Sequence, residues 1–143
     1  MFFHHTHIEK AYLLYGFDQL QPGEKNDILR KAEDYYRKTF SADGKIKSLK
    51  IMCPLNENGK CILYPYRPMI CRLHGLPHEI KKPGFKSLKG KGCEPGLFDK
   101  KAYIPFDRTP FYQYMAQIET VYRENSKKYN KLKETVAQML LSE

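Results

Sequence analysis

The stretch CPLNENGKCILYPYRPMICRLHGLP, residues 53–77, followed by GKGCEPG at residues 90–96, holds all four cysteines of the chain: Cys53, Cys61, Cys71 and Cys93. Proline, glycine and His74 are woven through it. A soft metal ion needs such a segment, because thiolate is the ligand and a bent backbone must bring several sulfurs to one point. The sequence on either side reads as helix. The predicted fold class is mainly α: N- and C-terminal helices packed around an irregular cysteine-rich centre with a short β-hairpin.

Within the stretch, Ile51-Met52-Cys53-Pro54-Leu55 and Cys61-Ile62-Leu63-Tyr64 are apolar runs flanking Asn56-Glu57-Asn58-Gly59-Lys60. Asn-Gly between apolar runs signals a hairpin. A two-residue Asn58-Gly59 loop pairs Asn56 with Cys61 and turns Cys53 and Cys61 to opposite faces. A three-residue loop, Glu57-Asn58-Gly59 with Gly59 left-handed in a bulge, pairs Leu55 with Cys61 and puts both thiols on one face. The three-residue register is expected if both thiolates bind one centre. Downstream, Pro68 opens a predicted short helix over about 68 to 74. Cys71 then lies near its start, where the dipole favours a thiolate, and His74 lies on the same face as a ligand, a donor to a sulfur, or a surface residue. Arg67 and Arg72 flank Cys71, either as surface charge or to neutralise a thiolate-rich site.

From Pro77 the sequence predicts a mobile loop carrying a basic patch of Lys81, Lys82, Lys86, Lys89 and Lys91. Its glycines do not match the GxxxxGK[ST] phosphate-binding pattern. Gly92-Cys93-Glu94-Pro95-Gly96 places the fourth cysteine in a turn, with glycine leaving room beside the sulfur.

Outward from this centre, Thr6-His7-Ile8-Glu9 has the form of a capping box. Ile8, Ala11, Tyr12 and Tyr15 continue it as a helix over about 7 to 20, weakened by about 1 kcal/mol at Gly16. Pro22-Gly23 breaks the chain before a second helix, about 23 to 41, striped by Ile28, Leu29, Ala32, Tyr35, Tyr36 and Phe40 and ended by Asp43-Gly44. His4, His5 and His7 read as a frayed terminus or surface histidines rather than a functional metal tract. Toward the C-terminus, Thr109 and Pro110 are predicted as N-cap and first helical residue. Phe111, Tyr114, Met115, Ile118, Val121 and Tyr122 form an apolar stripe to about 125, read as core. Asn125-Ser126 marks a break or kink, and Tyr129, Leu132, Val136, Met139 and Leu140 carry the helical period to the end.

The length of 143 residues suits a single domain over 1–143, divided into a helical part (1–45), a cysteine-rich segment (46–98) and a second helical part (99–143). Apolar content of 41% with 29% charged residues excludes a disordered chain. No apolar run reaches the roughly 20 residues that span a bilayer, so no transmembrane segment is expected. The N-terminus lacks a secretory pattern, and a cytoplasmic location is expected, where clustered thiols bind metal more readily than they form disulfides. The net charge of +9 offsets thiolates or suits a polyanionic partner such as nucleic acid or a membrane surface.

Four thiolates can close a tetrahedral zinc site or ligate an iron–sulfur cluster. The gaps of seven, nine and twenty-one residues contain neither the short paired knuckles of zinc ribbons nor the C-x2-C-x2-C of bacterial ferredoxins. Spacing therefore leaves the metal open.

The string Cys53-Pro54-Leu55 … Gly59-Lys60-Cys61-Ile62-Leu63-Tyr64 … Arg67-Pro68 … Cys71-Arg72 resembles the downstream half of the YkgJ-type cysteine-cluster family, described as a zinc- or iron-chelating domain. The resemblance covers about residues 51 to 95. It implies Cys53, Cys61, Cys71 and Cys93 as metal ligands and zinc or an iron–sulfur cluster as cofactor. The family's upstream C-x2-C-x2-C-C run is missing, although residues 2–40 resemble the helical segment that follows it. This chain is then either a truncated form or a variant keeping one four-cysteine site. Flagellin lysine methylases carry a related cysteine pattern, but no motif here positions a methyl donor.

Three functions follow as expectations. The first is a metal-binding protein with a structural, iron-handling or redox role. The second is a basic nucleic-acid-binding metal module. The third is a methylase-like or redox enzyme with Cys71 as nucleophile, which lacks a base–orienter constellation. A binding protein is preferred to an enzyme.

Overall fold

The computed structural model describes residues 5–40, 51–92, 98 and 104–142. Its contacts divide the chain into two compact units: Met1–Pro68 with Tyr129–Glu143, and Met69–Lys128. Each contains helices and a small sheet, and the described residues contain five α-helices.

The first unit begins with α1, His7–Asp18, held by the expected capping box. The Glu9 amide donates to Thr6 Oγ1 at 3.3 Å, and Glu9 Oε2 accepts from the Thr6 amide at 2.9 Å. The buried face is not the predicted one. Leu13, Gly16 and Phe17 turn inward, while Tyr12 and Tyr15 are exposed. Tyrosine tolerates this because its hydroxyl needs a polar neighbour, and that of Tyr12 donates to the Pro65 carbonyl at 3.2 Å. His5 is also buried rather than frayed, its amide donating to the Glu134 carbonyl at 3.4 Å.

Helix α2 runs Pro22–Thr39, with Pro22 in its first turn as a helix start rather than a break. It ends at Phe40, and the predicted Asp43-Gly44 stop lies outside the described residues. Ile28 and Ala32 face the core. Helix α5, Val136–Leu141, packs on α2 and α1 through Ala137, Met139 and Leu140. The continuous helix expected from 129 onward does not form. Thr135-Val136-Ala137-Gln138 is a second capping box, with the Gln138 amide donating to Thr135 Oγ1, and a capped start excludes helix before it.

Between these helices, strands β1 (Asn56–Glu57) and β2 (Lys60–Cys61) form the hairpin. The register is Asn56↔Cys61 and Glu57↔Lys60, so the loop has two residues. Asn58 at φ 49° and Gly59 at φ 82° supply the two left-handed positions of a type I′ turn. The predicted three-residue bulged loop is therefore wrong. Asn-Gly satisfies the primed turn that matches strand twist without an extra residue. Leu55 and Leu63 anchor the hairpin in the cluster of Leu13, Phe17, Ile28, Ala32, Ala137, Met139 and Leu140.

A 3-10 turn, Tyr64–Tyr66, then lays the Tyr66 ring on Gly16. A Cβ at Gly16 would stand 2.3 Å from Tyr66 Cγ and 2.8 Å from its Cβ, so the collision is with the root of the side chain. Gly16 costs helix propensity but admits that ring. Gly16→Ala is expected to lower stability by about 2 kcal/mol, because overpacking of about 1–3 kcal/mol exceeds the propensity gained. A urea melt checks it, and a stabilised variant would contradict the packing.

In the second unit, α3 is the five-residue Met69–Leu73. The segment predicted as loop from Pro77 instead builds a sheet in the order β4-β3-β5. Strand β3 (His78–Ile80) pairs antiparallel with β4 (Leu88–Gly90) and parallel with β5 (Phe106–Asp107). Three-residue strands are too short to show an alternating pattern, so nothing in the sequence separated them from loop. The His78 ring lies over Gly90, where a Cβ would come within 2.3 Å of it.

Helix α4 spans Thr109–Asn125, with Arg108 rather than Thr109 as N-cap. The shift follows from Asp107, whose Oδ1 accepts from the Thr109 amide at 2.9 Å, while Thr109 Oγ1 accepts from the Lys81 amide at 2.8 Å. Its stripe is not core: Phe111, Tyr114, Ile118 and Val121 are exposed, and Glu119 is buried.

Candidate metal centre

Cys61 ends β2 and packs against the core cluster of the first unit. Cys53 precedes β1. In the two-residue register, alternation alone would turn the two thiols apart. A turn changes this: the Asn56 amide donates to the Cys53 carbonyl at 2.9 Å, taking Cys53 off the ladder. The ladder itself ends at Leu55, whose carbonyl accepts from the Ile62 amide at 2.9 Å.

The amide of Leu55 donates to the Cys53 sulfur, and the amide of Leu63 donates to the Cys61 sulfur. The same relation thus occurs twice, in Cys53-Pro54-Leu55 and Cys61-Ile62-Leu63: a thiol receives the N–H of the residue two positions on. In both cases that residue is a buried leucine, 2% exposed. Core packing therefore fixes the amide that points at the sulfur. An N–H directed at sulfur favours thiolate, the form that binds metal.

The metal-free thiols are nevertheless protonated at neutral pH. Cys53 presents surface to solvent as a residue, but packing around its sulfur pushes the thiol from the ordinary 9.0 up to about 11. The charge of Cys61 acts in the same direction. Burial likewise raises Cys61, opposed by the Leu63 amide and the Arg67 guanidinium. Arg67 stacks on Tyr64, its Cζ 3.7 Å from the ring centroid. Tyr35 is raised by burial and then by Cys53, with its bond to Thr39 acting against the shift. Cys53 thus interacts electrostatically with Cys61 and Tyr35, and Cys61 with Arg67.

Linkage fixes the sign of the pH effect. The unfolded Cys53 thiol ionises near 9 while the folded one holds its proton to about 11, so its stabilising contribution is present below pH 9 and is lost as pH rises through 11. Metal-free protein is expected to melt at progressively lower temperature across that window, and Cys53→Ser should flatten the slope. Equal slopes in the two proteins would contradict the burial of this sulfur.

Cys71 is a half-buried thiol in the middle of α3, in the second unit. A five-residue helix has little macrodipole, so the expected dipole activation of Cys71 loses its basis. His74 follows α3, and burial, then Arg108 and His78, hold its imidazole below the ordinary 6.5, which keeps it neutral. Arg72 is exposed. Cys93 lies outside the described residues. Among the described residues no three or more His, Cys, Asp or Glu side chains gather as a metal ligand set.

The expected basic patch is partly neutralised. Lys81 reaches Glu79 at 2.9 Å and Asp107 at 3.2 Å, and these two carboxylates raise its pKa. Lys89 stands in β4 opposite Glu79, while Lys82, Lys86, Lys89 and Lys91 are all exposed. No helix of the described residues is long and apolar enough to cross a membrane. The i, i+2 sulfur–amide pairs were missed in the sequence, although the repeated Cys-x-Leu that carries them was legible.

Comparison with known proteins yields no matching family model, no matching curated protein and no matching solved structure.

Proposed function

We propose that this protein binds a metal, zinc or an iron–sulfur centre, through Cys53, Cys61, Cys71 and Cys93, in a structural, iron-handling or redox role. The observation that supports it is the hairpin, where two thiols each receive the N–H of a buried leucine two residues on. Such donors stabilise sulfur-borne negative charge, which thiolate ligands of either centre must carry. Cys71 and Cys93 complete the ligand count by the resemblance to the chelating family. A reducing compartment, as in the cytoplasm, keeps the thiols available. With Cys71 in a five-residue helix, binding is favoured over nucleophilic catalysis.

Metal analysis with an absorption spectrum after anaerobic purification tests the proposal. One equivalent of zinc in a colourless protein, or iron with visible absorbance, is the expected result. A chain with neither overturns it.

A further inference from the structure

We infer that the Cys53–Cys61 hairpin is by itself a two-thiolate site for a soft monovalent cation, Cu(I) in chemical class, needing neither Cys71 nor Cys93. Two thiols satisfy a monovalent d10 ion, which accepts linear two-coordination, whereas zinc requires four ligands. The hairpin supplies that number. The ladder bond at Leu55 and Ile62 makes Asn56↔Cys61 a non-hydrogen-bonded pair, about 4.5 Å between Cα atoms. The turn from Cys53 to Asn56 keeps the Cα of Cys53 within about 7 Å of Asn56. Both cysteines are thus held beside Asn56, Cys53 by the turn bond and Cys61 by the ladder pairing on either side of it, and both sulfurs are aimed by amides of core-anchored leucines.

Charge supports the same ion. Two thiolates with one monovalent cation carry a single negative charge, and one guanidinium, Arg67, acts on Cys61 from its stack on Tyr64. Binding breaks two S–H bonds, forms two metal–sulfur bonds and passes two protons to buffer, with no change of oxidation state.

The test uses the full metal-free chain, given one equivalent of Cu(I) anaerobically and then labelled with iodoacetamide. Labelling of Cys53 and Cys61 is expected to slow at least tenfold relative to metal-free protein, with Cys71 and Cys93 unchanged. Cys71→Ser with Cys93→Ser should still take one Cu(I) in competition with a Cu(I) chelator, and Arg67→Met should weaken binding about tenfold. Equal protection of all four cysteines, or of none, overturns the inference, as does loss of uptake in a folded double variant. The four-cysteine proposal fails separately, by absence of zinc and iron from the protein as isolated.

Discussion

Leu55→Ala is expected to lower the stability of the metal-free protein by about 3 kcal/mol, a fall in Tm of about 10 °C. Leu55 is 2% exposed and belongs to the core cluster with Leu13, Phe17 and Ile28, so truncation removes buried methyl groups and leaves a cavity. The same residue donates its amide to the Cys53 sulfur. The substitution keeps the amide but releases its anchor, and metal affinity should fall together with stability. Leu132→Ala provides the control, because Leu132 packs on the margin of the cluster and its amide is not one of the two donors to the thiols. It should cost less stability and leave affinity unchanged. Thermal melts with and without metal read both quantities. A Leu55→Ala protein that melts like the parent would show that the hairpin is not fixed by the core.

Cys61→Ser is expected to reduce metal content as isolated by at least tenfold. Cys61 is a half-buried ligand candidate with an amide donor and a guanidinium nearby, and a serine hydroxyl does not ionise in their place. The fold should survive, since serine occupies nearly the same volume and Cys61 lies at the edge of the cluster rather than within it. Circular dichroism establishes the fold and elemental analysis the metal. Full metal content in the folded variant would remove Cys61 from the site.

Parts of this molecule follow from local rules that act within a few residues. Thr6 and Glu9 announce α1 because a capping box is complete in four residues. Asn58-Gly59 announces the hairpin because only such residues adopt two left-handed positions at little cost. The four cysteines and their grouping were likewise plain from sequence. Which face of α1 is buried was not, because Tyr12 and Tyr15 are apolar enough to suggest a core and polar enough to remain exposed. Nor were the three short strands of the second unit, whose pairing joins residues 78–80 with 106–107 across the intervening chain.

The sequence alone determined that two thiols flank a tight turn and that each stands two residues before a leucine. Tertiary structure decided what those facts mean. The tight register should have turned Cys53 and Cys61 apart, yet the turn at Cys53–Asn56 takes Cys53 out of the ladder. Burial of Leu55 and Leu63 then directs their amides at the sulfurs. A sulfur–amide bond is local, but what holds it in place is hydrophobic packing against helices far away in the chain, and only the folded protein brings these together.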